Sequence, residues 1–435
     1  MAPKISLDSV PIIDNHCHAG MIRTPRQQQE LYARSLVEAG IPPQSWRDYV
    51  DAVRRSDGAR LEEIDCRHDV RRRLDKALAM NASTLFTRAL QIGCSELYGE
   101  WEDQERLARL SAEARRDGMA PLYQRALDRV NCPVVLTDSP RVDRTVWPES
   151  RFKWVARLDP FLYPFGPGEL TTRGTEVATF HARFQIKLNL ALGEQSLEAC
   201  PSDFADYLAF VDRVLDSFVE RGVVALKIVS AYVRSLEFRP TAEGDARRVY
   251  RDLSRGKKEE SRLFEDFMAR RMLLWAAERG LPVQVHAGLG HPEPGMDFVG
   301  NNPLMLQSIL MDERLSSLKL VLLHGAYPFC GEAGALAYTY GSVYLDFSRF
   351  CFLNYHFFVD RLSEWLELLP AHKLLWGTDI GVPEVHLGAT RLGRRVIEAV
   401  LSRGVEAGIW SESQARELGE RVCYRNVCEL YGFSL

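Results

Sequence analysis

Eight short apolar runs, most of them separated by helical stretches, constrain the fold of this chain more than any other feature. The runs have the length of buried strands, and the segments between them carry apolar residues at helical spacing. Regular alternation of this kind is typical of an α/β fold in which eight parallel strands close into a (β/α)8 TIM barrel. The eight runs are Pro11–His18, Cys132–Asp138, Lys153–Asp159, Val223–Ser230, Pro282–His286, Lys319–His324, Ser342–Phe347 and Lys373–Asp379.

The length of 435 residues would suit two or three average domains, or one large barrel with insertions. No break in composition divides the chain, so we predict a single domain over residues 1–435. Charged helical blocks at about residues 25–130 and 235–280 read as insertions after strands one and four. In a barrel such segments emerge at the C-terminal face, so we expect these two to form a cap over it.

Composition excludes several classes of partner. A net charge of -4 gives no reason to expect nucleic-acid binding, and no apolar run approaches the length of a membrane span. The nine cysteines are scattered without Cys-x-x-Cys pairs, and the first residues lack the apolar core of a signal peptide. We therefore expect a reduced, cytoplasmic protein that binds neither nucleic acid nor membrane.

The first strand ends in a His-x-His motif. Because side chains alternate along a strand, His16 and His18 share one face while Cys17 points to the other. Two imidazoles about 6.6 Å apart on one face can converge on a single cation. The motif alone is equally compatible with an ordinary pair of buried histidines. Asp14 is predicted to lie on the same face, one layer deeper, where it could orient one of the imidazoles.

Four more strands end in polar residues that suit metal chemistry: Lys227 on strand four, His286 on five, His324 on six and Asp379 on eight. The C-terminal ends of barrel strands converge on one small volume, so these tips indicate a site. Imidazoles and a carboxylate suit Zn²⁺, with Mn²⁺ or Fe²⁺ as alternatives. Asp379 could both bind a metal and take a proton from water, so it is a candidate catalytic residue with His324 and Lys227.

Lys227 is an unusual metal-site residue because an ammonium repels a cation. It becomes a suitable ligand if its amine has captured carbon dioxide, since the resulting carbamate is an anion that can bridge two ions. We predict this carboxylated lysine. The alternative is a free amine that pairs with Asp379 or with substrate beside a single ion.

This ordered set of residues resembles the amidohydrolase superfamily, whose signature is His-x-His on strand one, Lys on four, His on five and six, and Asp on eight. The resemblance covers residues 11 to about 380. Four segments resemble more closely the amidohydrolase-like half of nodulin/glutamine-synthetase fusions of the FluG type. They are Leu226–Tyr232, Gln284–Gly290, Leu323–Pro328 and Val343–Phe347.

The resemblance implies a ligand assignment. His16, His18 and Asp379 would hold one metal, His286 and His324 a second, and carboxylated Lys227 would lie between them. In relatives with one ion, His286 joins the first metal, and His324 polarises the substrate or orients the water.

The loops after the strands offer possible substrate contacts, although each such residue taken singly is more often a surface or packing residue. Several positively charged side chains and hydrogen-bond donors near the open end of the barrel would suit a substrate that carries a carboxylate. These residues are Arg141, Tyr232, Arg234, His291, Tyr327, Arg349 and His386.

We therefore expect a metal-dependent hydrolase that cleaves an amide, lactone or related bond of a small carboxylate-bearing molecule. Alternatives are a one-ion decarboxylase, a uronate-isomerase-like enzyme and a non-catalytic metal-stabilised scaffold. A homodimer is the commonest assembly for such soluble proteins.

Overall fold

The structure is a computed structural model that describes residues 5–19, 76, 79–138, 147–167, 177–290 and 296–435. Its centre is one sheet of eight parallel strands that follow one another in sequence order. All eight predicted strands are confirmed. The strands are β1 (Asp14–Cys17), β2 (Val135–Thr137), β3 (Phe152–Arg157), β4 (Ala225–Ile228), β5 (Val283–His286), β6 (Leu320–Leu323), β7 (Val343–Asp346) and β8 (Leu374–Leu375).

Backbone hydrogen bonds join the first strand to the chain beyond the last one. The amide of Asn15 donates to the carbonyl of Trp376 at 2.8 Å, and the amide of His18 donates to the carbonyl of Ile380 at 2.9 Å. The sheet thus closes on itself, which confirms the predicted (β/α)8 barrel.

Helices surround the strands and follow them at the C-terminal end of the chain. In the described ranges, those of eight or more residues are α1 (Leu85–Tyr98), α2 (Gln104–Ala114), α3 (Met119–Arg129), α4 (Val177–Glu194), α5 (Phe204–Glu220), α6 (Glu243–Leu253), α7 (Ser261–Glu278), α8 (Cys330–Thr339), α9 (Tyr355–Leu368), α10 (Pro383–Glu406) and α11 (Glu412–Glu420). The described residues also include the shorter helices α12 (Gln307–Leu310), α13 (Phe350–Leu353) and, at the C-terminal end of the chain, α14 (Asn426–Tyr431).

The interior of the barrel is filled below the strand tips. Inward-facing side chains such as Val321 and Leu375 form one apolar cluster with Val427 and Tyr431 of α14. The Tyr431 hydroxyl also accepts a hydrogen bond from Nε2 of Gln284, at 3.1 Å. The C-terminal helix therefore closes the end of the barrel opposite the predicted site.

Helices α1 and α10 cross at unusually short range. A Cβ added to Gly93 of α1 would lie 1.7 Å from the carbonyl oxygen of Glu384, and one added to Gly388 would lie 1.8 Å from that of Ala89. Only glycine permits two helix backbones to approach this closely. The first insertion is thus fastened at α1 to the helix that follows β8.

The predicted cap lies only partly within the described residues. The spacing of apolar residues in the first block predicts helices at 31–39, 47–55, 70–80 and 105–116. The described part of this block contains α1, α2 and α3, and α2 matches the last of these predictions. The first two, and most of the third, lie outside the described residues. The second block contains α6 and α7. The role of both blocks as a cap stays a prediction.

Candidate metal centre

Three predicted ligands converge at the C-terminal end of the barrel. The Nε2 atoms of His16 and His18 lie 3.0 Å and 2.9 Å from Oδ1 of Asp379. Cys17 lies instead in the apolar layer between strands and helices. The alternation predicted for the His-x-His motif is therefore observed.

Asp14 does not follow the same alternation. The register of β1 against β2 shifts between Asp14 and Cys17, and such an irregularity re-aims side chains. Oδ2 of Asp14 accepts hydrogen bonds from Thr378 Oγ1 at 2.5 Å and from Nε2 of His386 at 2.9 Å. The structure therefore places Asp14 against α10, away from the imidazoles of His16 and His18 that we expected it to orient.

His286 and His324 lie beside the first three residues. Nε2 of His324 is 3.0 Å from Nδ1 of His286, and ligand atoms of His16, His324 and Asp379 all lie within 4.8 Å of one another. Leu323 faces the barrel interior, so simple alternation would turn His324 outward. Its left-handed backbone, with a φ of 60°, brings the ring back to the site.

Lys227 reaches the same place from β4. Its Nζ lies 2.9 Å from Nε2 of His16 and 3.0 Å from Oδ2 of Asp138. The side chain is buried, and this burial lowers the pKa of the ammonium although Asp138 opposes the shift. The structure thus brings together all six of the predicted ligands: His16, His18, Lys227, His286, His324 and Asp379.

Asp138, at the end of β2, is a site residue that the sequence analysis did not propose. Its carboxylate contacts Nδ1 of His18 at 2.6 Å and pairs with Arg157 of β3 at 2.6 Å as well as with Lys227. Burial alone would raise the pKa of Asp138, but Arg157, His18 and Lys227 outweigh it and hold the pKa well below its usual range. One signal was visible in the sequence, because Asp138 ends an apolar run as Asp379 does.

Arg349, a predicted substrate contact, lies on Asp379. Its Nη1 donates to Oδ2 of Asp379 at 2.7 Å, and the side chain is buried. Oδ1 of the same carboxylate faces the imidazoles of His16 and His18. The two oxygens of Asp379 therefore have different partners.

The charge states of the side chains suit a divalent metal. Burial, with a contribution from Lys227, lowers the pKa of His16 to about 4, and burial holds the pKa values of His286 and His324 well below their ordinary value. Burial alone would raise the pKa of Asp379, but the neighbouring histidines lower it well below its usual value. Burial alone would lower the pKa of His18, but Asp138 and Asp379 raise it. The neutral imidazoles of the other three histidines, beside an ionised carboxylate, are donor types that suit zinc and similar ions.

An unpartnered atom supports the same fit. Nε2 of His286 is buried and has no hydrogen-bond partner among the described residues. Buried polar nitrogens are normally satisfied, so this one indicates a ligand. The residues present thus fit a metal ion.

Two of the predicted substrate contacts lie near these ligands. The ring of Tyr232 is 4.4 Å from that of His286 and stacks on Phe180 of α4 at 4.3 Å. Tyr327 follows the strand that ends at His324; it is half-buried, and its ring packs edge-on against Phe357 at 5.0 Å. Of the two, Tyr232 is the better placed to contact a substrate.

The structure does not bring two other predicted contacts to the site. Arg234 is buried in ion pairs with Glu265, at 2.8 Å, and Asp266. His386 is fully buried on α10 against Asp14. Arg141 and His291 lie outside the described residues.

Lys187 of α4 is another residue that sequence reasoning missed. Burial first, and then the charge of Arg157, lower the pKa of its amine to about 7, with Asp138 and Lys227 among the further charges that act on it. No pattern in the sequence singles out this lysine, because it lies within a helix and not at the end of a strand. It adds a cation near the site.

The comparisons with known proteins agree with the barrel fold. The family model described as amidohydrolase matches residues 101–433, so the chain belongs to the amidohydrolase family. The fungal protein fluG of Emericella nidulans is 31% identical over 237 residues, which are 51% of this chain and 27% of that protein. The match thus spans about a quarter of the length of that relative. The sequence motifs had already indicated a resemblance to proteins of this type.

Solved structures share the fold at low sequence identity. A candidate metal-dependent hydrolase from Lactobacillus casei aligns with a TM-score of 0.69 and 18% identity, over 98% of this chain and 96% of that one. Glucuronate isomerase from Caulobacter crescentus aligns with a TM-score of 0.66 and 15% identity, over 98% of this chain and 92% of that one.

Within the described residues, no helix is long and apolar enough to cross a membrane.

Proposed function

We propose that this protein is a metal-dependent hydrolase that cleaves an amide, lactone or related bond of a small carboxylate-bearing molecule. The observation that carries the proposal is the convergence of His16 and His18 on one oxygen of Asp379 at the end of the barrel. Zn²⁺ is the expected ion, with Mn²⁺ or Fe²⁺ as alternatives.

His16, His18 and Asp379 would hold the ion, with His324 and His286 beside it. An ion held there would supply a Lewis acid and a bound water of lowered pKa. The protein's own residues would bind the substrate, orient the water and transfer the proton. Asp379 would accept a proton from the attacking water and return it to the leaving group. Arg349 holds the other oxygen of that carboxylate in place.

The cations around the site support an anionic substrate. Arg157 and Arg349 are already paired with Asp138 and Asp379, whereas Lys187 has no acidic partner at ion-pair distance among the described residues. We assign Lys187 as the first candidate for the substrate carboxylate. The Tyr232 ring, 4.4 Å from that of His286, is a second candidate for a substrate contact.

Two versions of the site remain distinct proposals. A carbamate on Lys227 would bridge two ions, as the sequence predicted. A free ammonium paired with Asp138, 3.0 Å away, suits a single ion instead. A decarboxylase or a uronate-isomerase-like enzyme would also use the one-ion version. Because the fold is similar to that of glucuronate isomerase, uronate isomerisation is the second candidate reaction.

Metal content is the first test. Elemental analysis of the purified chain should find a divalent transition ion, zinc by default. His16→Ala should lose both the ion and most activity because it removes a ligand at the point of convergence. Cys17→Ser is the matched control in the same strand and should keep both, since Cys17 faces the helix layer.

Product analysis then separates the reactions. Amides, lactones and uronates that carry a carboxylate should be assayed in water enriched in oxygen-18. Hydrolysis places solvent oxygen in a newly formed carboxylate, decarboxylation releases carbon dioxide, and isomerisation does neither. A protein that binds no transition metal and turns over no compound of these classes would overturn the proposal and leave the scaffold alternative.

A further inference from the structure

We propose that Ser348 is a positioning residue that fixes the tautomer of His324, so that the ring presents an unprotonated Nε2 to the site. Strand seven carries no residue of the amidohydrolase signature, and so nothing in the motifs pointed to this role. The inference deepens the proposed function and rests on its metal site, but it can also be tested in the metal-free protein.

The anchor is the buried carboxylate of Asp346 at the end of β7. Its Oδ2 accepts a hydrogen bond from Nδ2 of Asn15 at 2.9 Å, and its Oδ1 accepts one from the amide of Ser348 at 2.9 Å. The hydroxyl of Ser348 makes a further, very short hydrogen bond to the same Oδ1. On its other side this hydroxyl lies 2.9 Å from Nδ1 of His324.

The direction of these hydrogen bonds follows from the donors that are available. Both oxygens of Asp346 accept from N–H donors, namely Asn15, His324 and Ser348, as those of an ionised carboxylate do. The Ser348 hydroxyl must therefore donate its one proton to Asp346. Its oxygen then has only lone pairs left for His324, and Nδ1 of that ring must carry the proton. A neutral imidazole has one proton, so Nε2 of His324 is left as an acceptor.

The arrangement has little room to relax. A Cβ added to Gly377 would lie 2.4 Å from Oδ2 of Asp346 and 3.0 Å from Cβ of Ser348. Ser348, Asp346 and Asn15 are all fully buried. The side chains that orient His324 are therefore packed in place, which is what holding a metal ligand requires.

The tautomer decides what His324 can do. An unprotonated Nε2 can bind a metal or accept a proton, but it cannot donate a hydrogen bond to polarise a carbonyl. Without a metal, the same atom accepts from Nδ1 of His286 at 3.0 Å. The role of Ser348 is thus the same whether His324 binds the ion or orients a water.

The test compares Ser348→Ala with Ser348→Thr. Zinc affinity, measured by competition with a chromophoric chelator, should fall about 10–100-fold in Ser348→Ala, as expected for loss of a partner that orients a ligand. Ser348→Thr restores the hydroxyl and should recover most of the affinity. Ser402→Ala is the matched control, because Ser402 is also buried but hydrogen-bonds the amide of Ile5 far from the site.

A measurement without metal keeps the inference testable if the threonine variant does not fold or if no zinc binds. Nitrogen NMR of labelled histidines, with His324 identified through His324→Gln, should show the Nδ1–H tautomer in the wild-type apoprotein and its loss in Ser348→Ala. A wild-type His324 protonated at Nε2, or a Ser348→Ala variant with unchanged zinc affinity, would overturn the inference. Failure of the wild type to bind zinc would instead count against the proposed function.

Discussion

At the residue scale, the state of Lys227 decides how many ions the site can hold. The sequence argument for a carbamate was that a bare ammonium on an apolar strand carries a large desolvation cost. The structure supplies what that argument lacked, since Asp138 lies 3.0 Å from Nζ. A carbamate here would place a second anion beside a buried carboxylate, whereas an ammonium pairs with it. This neighbour favours the one-ion version.

The corresponding prediction concerns Lys227→Met. The ion should stay bound in this variant, because His16, His18 and Asp379 converge without Lys227. Intact-mass measurement of the wild type should show no added carbon dioxide, and metal analysis should find one ion per chain. Loss of metal from Lys227→Met, with rescue by a small carboxylic acid, would establish the bridging carbamate instead.

At the element scale, the loop after β5 is packed tightly against its own strand end. A Cβ added to Gly290 would lie 2.0 Å from Cε1 of His286 and 2.0 Å from the hydroxyl of Tyr232. Neither distance is tolerable, so a side chain at this position must displace one ring or the other. The glycine therefore sets the spacing between the fifth strand tip and the fourth loop.

We expect Gly290→Ala to reduce turnover about 100-fold, because displacement of a positioned group by 1 Å has an effect of that size. The ion held by His16, His18 and Asp379 should remain, since the atoms nearest the added Cβ belong to His286 and Tyr232. Gly341→Ala is the control, as its added Cβ meets nothing within 4 Å. Steady-state kinetics and metal analysis of both variants test this, and wild-type turnover in Gly290→Ala would contradict it.

At the scale of the whole molecule, the proposed ion would join the two ends of the sheet. His16 and His18 belong to β1, whereas Asp379 follows β8, a strand of only two residues. The barrel closes there through a few backbone hydrogen bonds, among them Asn15 to Trp376. A ligand that binds the folded state across this seam should stabilise the closed barrel.

Zinc at about 100 times its dissociation constant should add about 2.7 kcal/mol to the free energy of unfolding, because it binds only the folded chain. Calorimetry over a series of zinc concentrations should show a rising unfolding temperature, which a chelator reverses. His18→Ala should lose this dependence, while Ser402→Ala should keep it. A bound ion with no effect on the unfolding temperature would mean that the unfolded chain binds zinc equally well, and it would contradict this prediction.

The sequence by itself determined the barrel and the polar residues at its strand tips. Alternation along strand one placed His16 and His18 on one face and Cys17 on the other, because this periodicity is a local property of the backbone. Apolar runs marked each strand, since parallel barrel strands are buried on both faces. The tips then had to meet, because closure brings all C-terminal ends together.

Only the tertiary structure decided which polar side chains pair with which. Arg234 pairs with Glu265 and His386 with Asp14, and neither pairing follows from position along the chain. The inward turn of His324 depends on a left-handed backbone that periodicity does not predict. Asp138 meets His18 from 120 positions away, and Ser348 meets His324 from 24 positions away. Sequence position does not predict these contacts, since a hydrogen bond requires atoms to meet at about 3 Å. Local patterns locate elements and tips, whereas the packing of distant elements sets these contacts.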